Sequence, residues 1–261
     1  MNGARSQSSG SVIKKISELL EMCGDDDPPM PPKMLYCEGW LLRLVLDWHK
    51  HHSCAGSPLA FEEGAKWYSE GRLSTPFRQR PRGQCPKGDG YTNVDGFIGH
   101  FSIDKGTEAK ICPKENAKQL VVVEAKLGSG LSSRTDNAEG YDQAARNACC
   151  LAYMAAEKPI DPKKLKKFAF YVIAPSKESV KKSKIDSIDR RMTEESISEK
   201  IKRRASDYGE HDRWYEDKIE PFLNAMRVEV KTWEEILVCM ESAGAGAEYR
   251  EFYKECLCRI K

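Results

Sequence analysis

Two carboxylates and one lysine are spaced so that a folded chain could bring them together. Glu124 and Lys126 lie at the end of a hydrophobic run, residues 120–123, and Asp95 lies upstream within residues 93–98. A run of β-branched residues is typical of a buried strand, and strand side chains alternate between the two faces of a sheet. Glu124 and Lys126 are therefore expected to point the same way.

These residue types indicate metal-assisted chemistry on a phosphate ester. A core strand has no packing reason to carry a carboxylate and an ammonium on one buried face, because buried charges are rare unless they are paired or bound. If Asp95 arrives on a neighbouring strand, two carboxylates and a lysine converge. Carboxylates are oxygen ligands that Mg²⁺ accepts alongside water and phosphate, while a lysine can orient or deprotonate a water or stabilise phosphate charge. The alternative interpretation is a surface Glu–Lys pair.

A further carboxylate, Glu38, falls within a predicted amphipathic helix at residues 34–50. Helical spacing places it on the apolar face, together with four hydrophobic residues: Leu41, Leu42, Val45 and Trp48. A glutamate on that face is expected to seek a cation or a metal ion. Alternatively, it is a first-turn glutamate that the helix dipole favours without any metal.

A loop of small residues follows the Glu124 strand and leads into a second predicted helix. The loop covers residues 128–135 and the helix covers residues 137–157. Gln143 and Arg146 belong to the polar stripe of this helix, so they either face the site or form an ordinary solvated surface. For Arg146 the solvated surface is the expectation.

The arrangement resembles the PD-(D/E)XK nuclease superfamily, which has the restriction-endonuclease-like fold. Asp95 matches the Asp of the motif and Glu124 with Lys126 matches its (D/E)-x-K pair, whereas Val94 stands where the name-giving proline would be. The resemblance covers roughly residues 33–240. It implies that Asp95 and Glu124 bind Mg²⁺, with Mn²⁺ as a substitute, and that Lys126 positions or activates the attacking water.

Two further site residues follow from the same resemblance. Many members of the superfamily place a Glu on the first core helix, pointing at the metal, and Glu38 matches that metal ligand in chain order. The helix after the motif strand often offers a Gln, which Gln143 resembles as an auxiliary site residue. An exonuclease subgroup carries Q-x-x-x-Y there, but Asn147 stands at the last position in this chain.

Length and composition favour one large α/β domain. The chain has 261 residues, of which 40% are hydrophobic and 31% are charged, as in ordinary globular proteins. Residues 1–32 are expected to form a flexible segment with a short helix at residues 11–23, and residues 33–261 the nuclease domain. No apolar run reaches membrane-spanning length and no signal-peptide core is visible. We therefore expect a cytoplasmic protein with no membrane partner.

Charge is distributed unevenly along the chain. The formal net charge is only +2, yet residues 158–204 hold 15 Lys and Arg against seven Asp and Glu. Such an excess predicts one basic face, which suits a phosphate backbone, although a solvated helix surface is the alternative for much of it. The loop at residues 72–90 carries four spaced cations: Arg78, Arg80, Arg82 and Lys87. This loop either contacts DNA phosphates or is a polar connector.

The ten cysteines show no C-x-x-C pair and therefore no zinc-ribbon spacing. His49, His51, His52 and Cys54 have metal-ligand residue types, but the histidines come at a predicted helix end, where the helix dipole favours them. We expect no zinc site there, and we expect most cysteines to be reduced, buried thiols.

The order of predicted elements indicates a mixed β-sheet with helices on both faces, which is the restriction-endonuclease-like architecture. Strands are predicted at residues 91–103, 119–127, 165–174 and 227–230. The segments predicted between them are a helix at residues 61–70 before the first strand, a polar connection at residues 107–118, and mostly helical structure at residues 176–226. Thr232 is predicted to begin a last helix in a capping box with Glu235.

Together these features predict a Mg²⁺-dependent endonuclease that hydrolyses phosphodiester bonds of DNA, expected to be double-stranded, by attack of a metal-activated water. A homodimer is expected if both strands are cut, since one site cuts one strand. The alternatives are a catalytically inactive DNA-binding or structural member of the same fold, and a nuclease of RNA or of branched or single-stranded DNA. The sequence lacks a phosphate-binding loop, a G-x-S-x-G elbow and an H-E-x-x-H motif, which argues against other common hydrolase classes.

Overall fold

A computed structural model describes residues 7–25, 28–54, 56–78, 88–104, 109–133, 138–209 and 212–259. Within these ranges a mixed sheet is built from seven strands: β1 (Lys66–Leu73), β2 (Thr92–Gly99), β3 (Phe101–Asp104), β4 (Lys110–Pro113), β5 (Gln119–Ala125), β6 (Lys167–Ala174) and β7 (Arg227–Thr232). The strands lie side by side in the order β3-β4-β1-β2-β5-β6-β7.

Helices cover both faces of this sheet. They are α1 (Gln7–Glu21), α2 (Glu38–His51), α3 (Gln143–Ala156), α4 (Lys182–Arg191), α5 (Glu194–Tyr208), α6 (Asp212–Trp214), α7 (Glu220–Ala225), α8 (Trp233–Ser242) and α9 (Glu248–Arg259). Short 3-10 turns occupy Met22–Gly24, Pro32–Met34 and Pro162–Lys164, and a π-helical turn, Tyr215–Ile219, joins α6 to α7.

The side chains of the central strand β5 alternate between two apolar layers. Leu120 and Val122 pack in the layer covered by α3, α5 and α7, whereas Val121 and Val123 pack in the layer covered by α2, α8 and α9. All seven residues of β5 are buried, because helices cover the strand on both faces. Glu124 continues the even-numbered series, so its side chain points toward α3.

Strand pairing sets which residues meet beside β5. β2 runs antiparallel to β5 with Gly96 opposite Val123, and this register places Asp95 opposite Glu124. β6 pairs with β5 in the parallel sense, as β7 does with β6. β1 runs antiparallel to β2 with Gly71 opposite Val94. The residue before Gly71, Glu70, therefore comes beside Asp95.

The α/β class and the mixed sheet with helices on both faces are confirmed. The predicted strands at residues 119–127, 165–174 and 227–230 correspond to β5, β6 and β7. The capping box is confirmed as well. The Thr232 hydroxyl accepts a hydrogen bond from the Glu235 amide at 3.1 Å, and the Glu235 carboxylate accepts one from the Thr232 amide at 2.9 Å.

Three sequence-based expectations about elements are wrong. Residues 61–70 do not form a helix, because Lys66–Leu73 is strand β1 and pairs along its length with β2; sheet pairing outweighs local propensity here. The connection at residues 107–118 contains β4, which pairs with β3. The helix predicted from residue 137 starts at Gln143, because the Asp142 side chain caps it by accepting a hydrogen bond from the Ala145 amide.

Helix α1 occupies Gln7–Glu21, where the sequence predicts a short helix at residues 11–23, and residues 1–6 lie outside the described residues. The loop cations Arg80, Arg82 and Lys87 also lie outside them. No helix in the described ranges is both long and apolar enough to cross a membrane.

Two of the ten cysteines, Cys54 and Cys239, form a disulfide. A separation of 185 residues gives the sequence no visible signal for this pair. The other seven cysteines in the described residues are free thiols, as expected, but only four of them, Cys23, Cys149, Cys150 and Cys256, are buried.

Candidate active site

The pairing of β2 with β5 brings Asp95 to the end of the predicted motif strand. Asp95 Oδ2 accepts a hydrogen bond from the backbone N–H of Ala125 at 2.8 Å. Ala125 is the last residue of β5 and lies between Glu124 and Lys126. The expectation that Asp95 stands on a strand beside the Glu124 strand is therefore confirmed.

Gly96 allows a helix to pack directly against the strand that carries Asp95. A Cβ atom at this position would lie 3.0 Å from Leu46 Cδ1 and 3.1 Å from Leu42 Cδ2. Both leucines belong to α2, so this helix rests on the backbone beside Asp95. A side chain larger than hydrogen would require these leucines to shift by a few tenths of an ångström in a packed layer, which accounts for the glycine.

Three side chains donate hydrogen bonds to the Glu124 carboxylate. Lys126 Nζ lies 2.7 Å from Glu124 Oε1, and Gln143 Nε2 donates to the same oxygen. Asn147 Nδ2 donates to Glu124 Oε2 at 3.1 Å. The side chain of Glu124 is only 3% exposed and that of Lys126 12%, so the contacts form in a largely dehydrated place where charges interact strongly.

The electrostatic balance at Glu124 favours its protonated form. Burial raises the pKa of Glu124 to about 7, and the nearby Asp95 carboxylate raises it in the same direction. The Lys126 ammonium opposes both effects, while a hydrogen bond with Asp95 adds to them. The two neighbouring carboxylates repel each other, so Glu124 is protonated more easily than an isolated glutamate, as in other close carboxyl pairs.

Helix α3 supplies two of the Glu124 donors from successive turns. Gln143 is its first residue, and Asn147 follows four residues later on the same face. In the sequence Asn147 stands out only as a departure from Q-x-x-x-Y, but its four-residue spacing from Gln143 is the signal that could have identified it. Arg146 is not an ordinary solvated residue, because its Nη2 donates to the backbone carbonyls of Gly90 and Tyr91 at 3.0 and 2.8 Å.

Glu70 is a third carboxylate near the pair, and sequence reasoning missed it. Its backbone has a φ of +56°, a left-handed conformation that is unusual for a residue other than glycine and costs free energy. Burial and the Asp95 charge raise the pKa of Glu70, whereas Arg43, whose Nη2 lies 3.5 Å from Glu70 Oε1, lowers it. The mistaken helix at residues 61–70 concealed the signal, because only a strand places Glu70 beside Asp95.

Glu38 lies apart from these contacts in the described structure. It is the first residue of α2, which packs on the sheet face opposite the one that carries Glu124. Its charge acts on Cys256 of α9, whose pKa is raised to about 12 by burial, by Cys37 and by Glu38. Within the described ranges no hydrogen bond or ion pair joins Glu38 to Asp95, Glu124 or Lys126, so its role at the site stays a prediction.

The described residues contain no group of three or more His, Cys, Asp or Glu side chains placed to hold a metal ion. The histidine cluster has other contacts: His49 Nδ1 lies 2.8 Å from the Val45 carbonyl oxygen and His49 Nε2 lies 2.9 Å from Ser57 Oγ.

No protein-family model, curated protein or solved structure matches this chain. The arguments about its function therefore depend on the geometry of its own residues. That geometry assembles four of the five site residues expected from the sequence, Asp95, Glu124, Lys126 and Gln143. Such a set can bind a hard cation through oxygen, hold a water near an ammonium group and stabilise negative charge.

Proposed function

We propose that this protein is a metal-dependent nuclease that hydrolyses phosphodiester bonds of DNA, with the site arrangement of the PD-(D/E)XK superfamily. The pair formed by the half-buried Asp95 and the buried Glu124 carries the proposal. A glutamate with a purely structural role would be matched by cations and donors alone. Glu124 instead faces a second carboxylate, and the pKa of Glu124 rises to about 7 through burial and that second charge. Such perturbed groups are concentrated at functional sites.

The pair fits Mg²⁺ or Mn²⁺ by its chemistry. Mg²⁺ is bound in proteins through one or two carboxylates and completes its shell with water and substrate phosphate oxygens. Asp95 and Glu124 supply those two carboxylates, and a cation between them would offset the repulsion that raises the pKa of Glu124. When bound, the metal supplies Lewis-acid charge and lowers the pKa of its water.

Each remaining residue has a role in the hydrolysis. The oxygen of water forms a bond to phosphorus and the ester P–O bond breaks, while one proton leaves the water and another reaches the departing oxygen. Lys126 Nζ, 2.7 Å from Glu124 Oε1, holds the water in place and stabilises charge that develops on the phosphate. Gln143 and Asn147 act as positioning residues, because they orient the Glu124 carboxylate through hydrogen bonds.

A cleavage panel tests the proposal directly. Supercoiled plasmid, nicked plasmid, single-stranded DNA, branched DNA and RNA are incubated with the protein and with Mg²⁺, Mn²⁺ or EDTA. We expect metal-dependent cleavage of at least one DNA substrate, and none in EDTA. Cleavage of RNA alone would show that the substrate is RNA and not DNA. Tight DNA binding without cleavage of any substrate would favour the inactive DNA-binding alternative.

Substitutions separate chemistry from binding. Asp95→Asn and Glu124→Gln each remove a charged ligand and should lower cleavage by about a thousandfold, since several kcal/mol of charge stabilisation is lost. Lys126→Ala should lose cleavage but keep most DNA affinity, because many phosphate contacts share that affinity. Lys254→Ala, which removes the same charge from an exposed position on α9, is the matched control. Equal loss of cleavage and of DNA affinity in Lys126→Ala would give Lys126 an anchoring role instead of a catalytic one.

Two further expectations can be measured with the same protein. Glu38→Gln should cut activity more than stability if Glu38 serves the site, and a fully active variant would leave the site without it. Sedimentation with a duplex substrate should reveal a dimer if both strands are cut together, because each site cuts one strand.

A further inference from the structure

A groove lies beside the candidate active site. Two adjoining cavities, of about 460 and about 230 Å³, share Ser74, Arg78 and Lys110 in their walls. We refer to these two cavities together as the Tyr91 groove, because Tyr91 lines the larger one. The smaller cavity continues along α3, where Tyr153 forms part of its wall.

Cations predominate on the walls of the Tyr91 groove. Arg72, Arg78 and Lys110 line the larger cavity, and Lys158 lines the smaller one. Arg78 is exposed, so its guanidinium can reach a ligand. Cations spaced along a groove are suited to successive phosphates of a polynucleotide.

The acidic residues of the same groove are already neutralised. Asp89 is fully buried and lies 2.8 Å from Arg204 Nη2. Glu157 lies 3.3 Å from Lys218 Nζ. The cations on the walls therefore face no unpaired carboxylate among the residues that line these two cavities in the described structure.

Tyr91 offers an aromatic surface inside this electropositive groove. It is one of the few large hydrophobic residues exposed in the described chain, with 66% of its surface accessible. The Arg72 guanidinium lies 3.2 Å from the centre of its ring, which covers one side of the ring and leaves most of the rest accessible. An exposed aromatic ring beside cations is the combination on which unpaired nucleic-acid bases stack.

The backbone that carries Tyr91 is held in place. Arg146 donates hydrogen bonds to the carbonyl oxygens of Gly90 and Tyr91. The preceding residue, Asp89, accepts a hydrogen bond from Thr75 Oγ1 at 3.0 Å in addition to its contact with Arg204. The backbone that positions the ring is therefore ordered before a base arrives, which lowers the entropic cost of binding.

The Tyr91 groove and the candidate active site share two elements. Tyr91 lies immediately before β2 and four residues before Asp95, which corresponds to about 13 Å of extended chain at most. Helix α3 carries Gln143 and Asn147 at the site and Met154 at the groove. A nucleic-acid strand that lies in the groove would thus reach the Asp95–Glu124 pair within a few nucleotides.

We propose that the Tyr91 groove binds single-stranded nucleic acid, with a base stacked on Tyr91 and phosphates against Arg78 and Lys110, and directs that strand to Asp95 and Glu124. This inference rests on the proposed nuclease function and narrows its substrate to DNA with an unpaired segment. A continuous duplex would keep its bases stacked on one another and leave Tyr91 without a partner.

Binding is measured without cleavage by fluorescence anisotropy in EDTA, with a labelled thymidine oligonucleotide, its duplex with adenosine oligonucleotide, and inorganic polyphosphate as a competitor. We expect the single strand to bind more tightly than the duplex. Tyr91→Ala should weaken single-strand binding about tenfold, and Tyr91→Phe should keep it within about twofold, because stacking needs only the ring. Arg78→Ala should reduce the slope of log affinity against log salt by about 0.7, unlike the control Lys254→Ala.

The outcomes distinguish this inference from the nuclease proposal. Equal affinity of the parent and Tyr91→Ala, or competition by polyphosphate as strong as by the oligonucleotide, would overturn the stacking groove even in an active nuclease. Single-strand binding that depends on Tyr91, in a protein that cleaves nothing, would support the groove and overturn the nuclease. A circular dichroism spectrum checks that each variant is folded.

Discussion

Two buried carboxylates in this protein have opposite surroundings. Asp89 is fully buried and is matched by a buried arginine, Arg204, at 2.8 Å and by the Thr75 hydroxyl. Glu124 is buried to a similar degree, but it faces a second carboxylate, Asp95, as well as Lys126. The first arrangement satisfies a charge within the fold. The second leaves an excess of negative charge that only a proton or a cation from outside can offset.

The contrast extends to the neighbours of each carboxylate. Arg204 lies against three aromatic rings, those of Phe77, Tyr141 and Tyr208, with ring centres 5.0 to 5.8 Å away. Glu124 is surrounded by the amides of Gln143 and Asn147, which donate hydrogen bonds and carry no charge. Burial alone therefore does not identify a site; the balance of charge among the partners does.

Removing the matched carboxylate should have the largest effect on stability. Asp89→Ala removes the carboxylate that lies 2.8 Å from the buried Arg204 guanidinium, which should lower the free energy of unfolding by about 3–5 kcal/mol. Urea unfolding followed by circular dichroism measures the change. The control Asp186→Ala removes a carboxylate from an exposed ion pair with Lys177 and should change stability far less. Similar losses in both variants would contradict the structural role of Asp89.

Removing the unmatched carboxylate, that of Glu124, should have the opposite effect on the free energy of unfolding. The pKa of Glu124 is about 7 in the folded protein against an ordinary value of 4.5. The folded state holds the proton more tightly, so the contribution of Glu124 to metal-free stability should be greatest below pH 4.5 and should fall as the pH rises to about 7, by about 3 kcal/mol at most. Glu124→Gln should abolish this fall.

Urea unfolding across pH 4 to 8, in EDTA, makes the comparison between the parent and the Gln variant. Adding Mg²⁺ at pH 8 should restore stability to the parent and not to the variant, because a ligand of the folded state stabilises it. Identical pH profiles for the two proteins would show that the charge of Glu124 is already balanced by its partners in the metal-free protein.

Loss of one positioning donor should have an intermediate effect on activity. Asn147→Ala removes the hydrogen bond to Glu124 Oε2 and should lower cleavage about tenfold or more, the range found for residues that orient metal ligands. Asn224→Ala, at an exposed position of α7, provides the control. Unchanged cleavage by Asn147→Ala would limit the positioning role to Gln143.

The smallest expected effect concerns the strained backbone at Glu70. Glycine tolerates the left-handed conformation better than any other residue. Glu70→Gly should therefore raise the free energy of unfolding by about 1 kcal/mol, whereas Glu70→Ala should not. If the third carboxylate contributes to the site, both variants should lose activity to a similar extent. Thermal unfolding measures the strain and cleavage rates measure the function, so the two experiments together separate these effects. A fully active Glu70→Gly would remove Glu70 from the site.

The sequence predicted the residues whose position depends on strand alternation and chain order. Asp95, Glu124 and Lys126 were found because a buried strand carried charges, and Gln143 followed from the resemblance. Asn147 was accessible through helical spacing from Gln143 but was not used. Glu70 was beyond reach, because Lys66–Leu73 becomes a strand only through pairing with β2, and such long-range pairing leaves little trace in a short segment.

The Lys126 backbone carbonyl accepts a hydrogen bond from the indole of Trp233 at 2.8 Å, across 107 residues of sequence. Trp233 is fully buried and begins α8. During synthesis the ribosome delivers Lys126 long before Trp233, so this hydrogen bond can form only after most of the chain has emerged. A nascent chain therefore lacks this support of the Lys126 backbone until late in its synthesis.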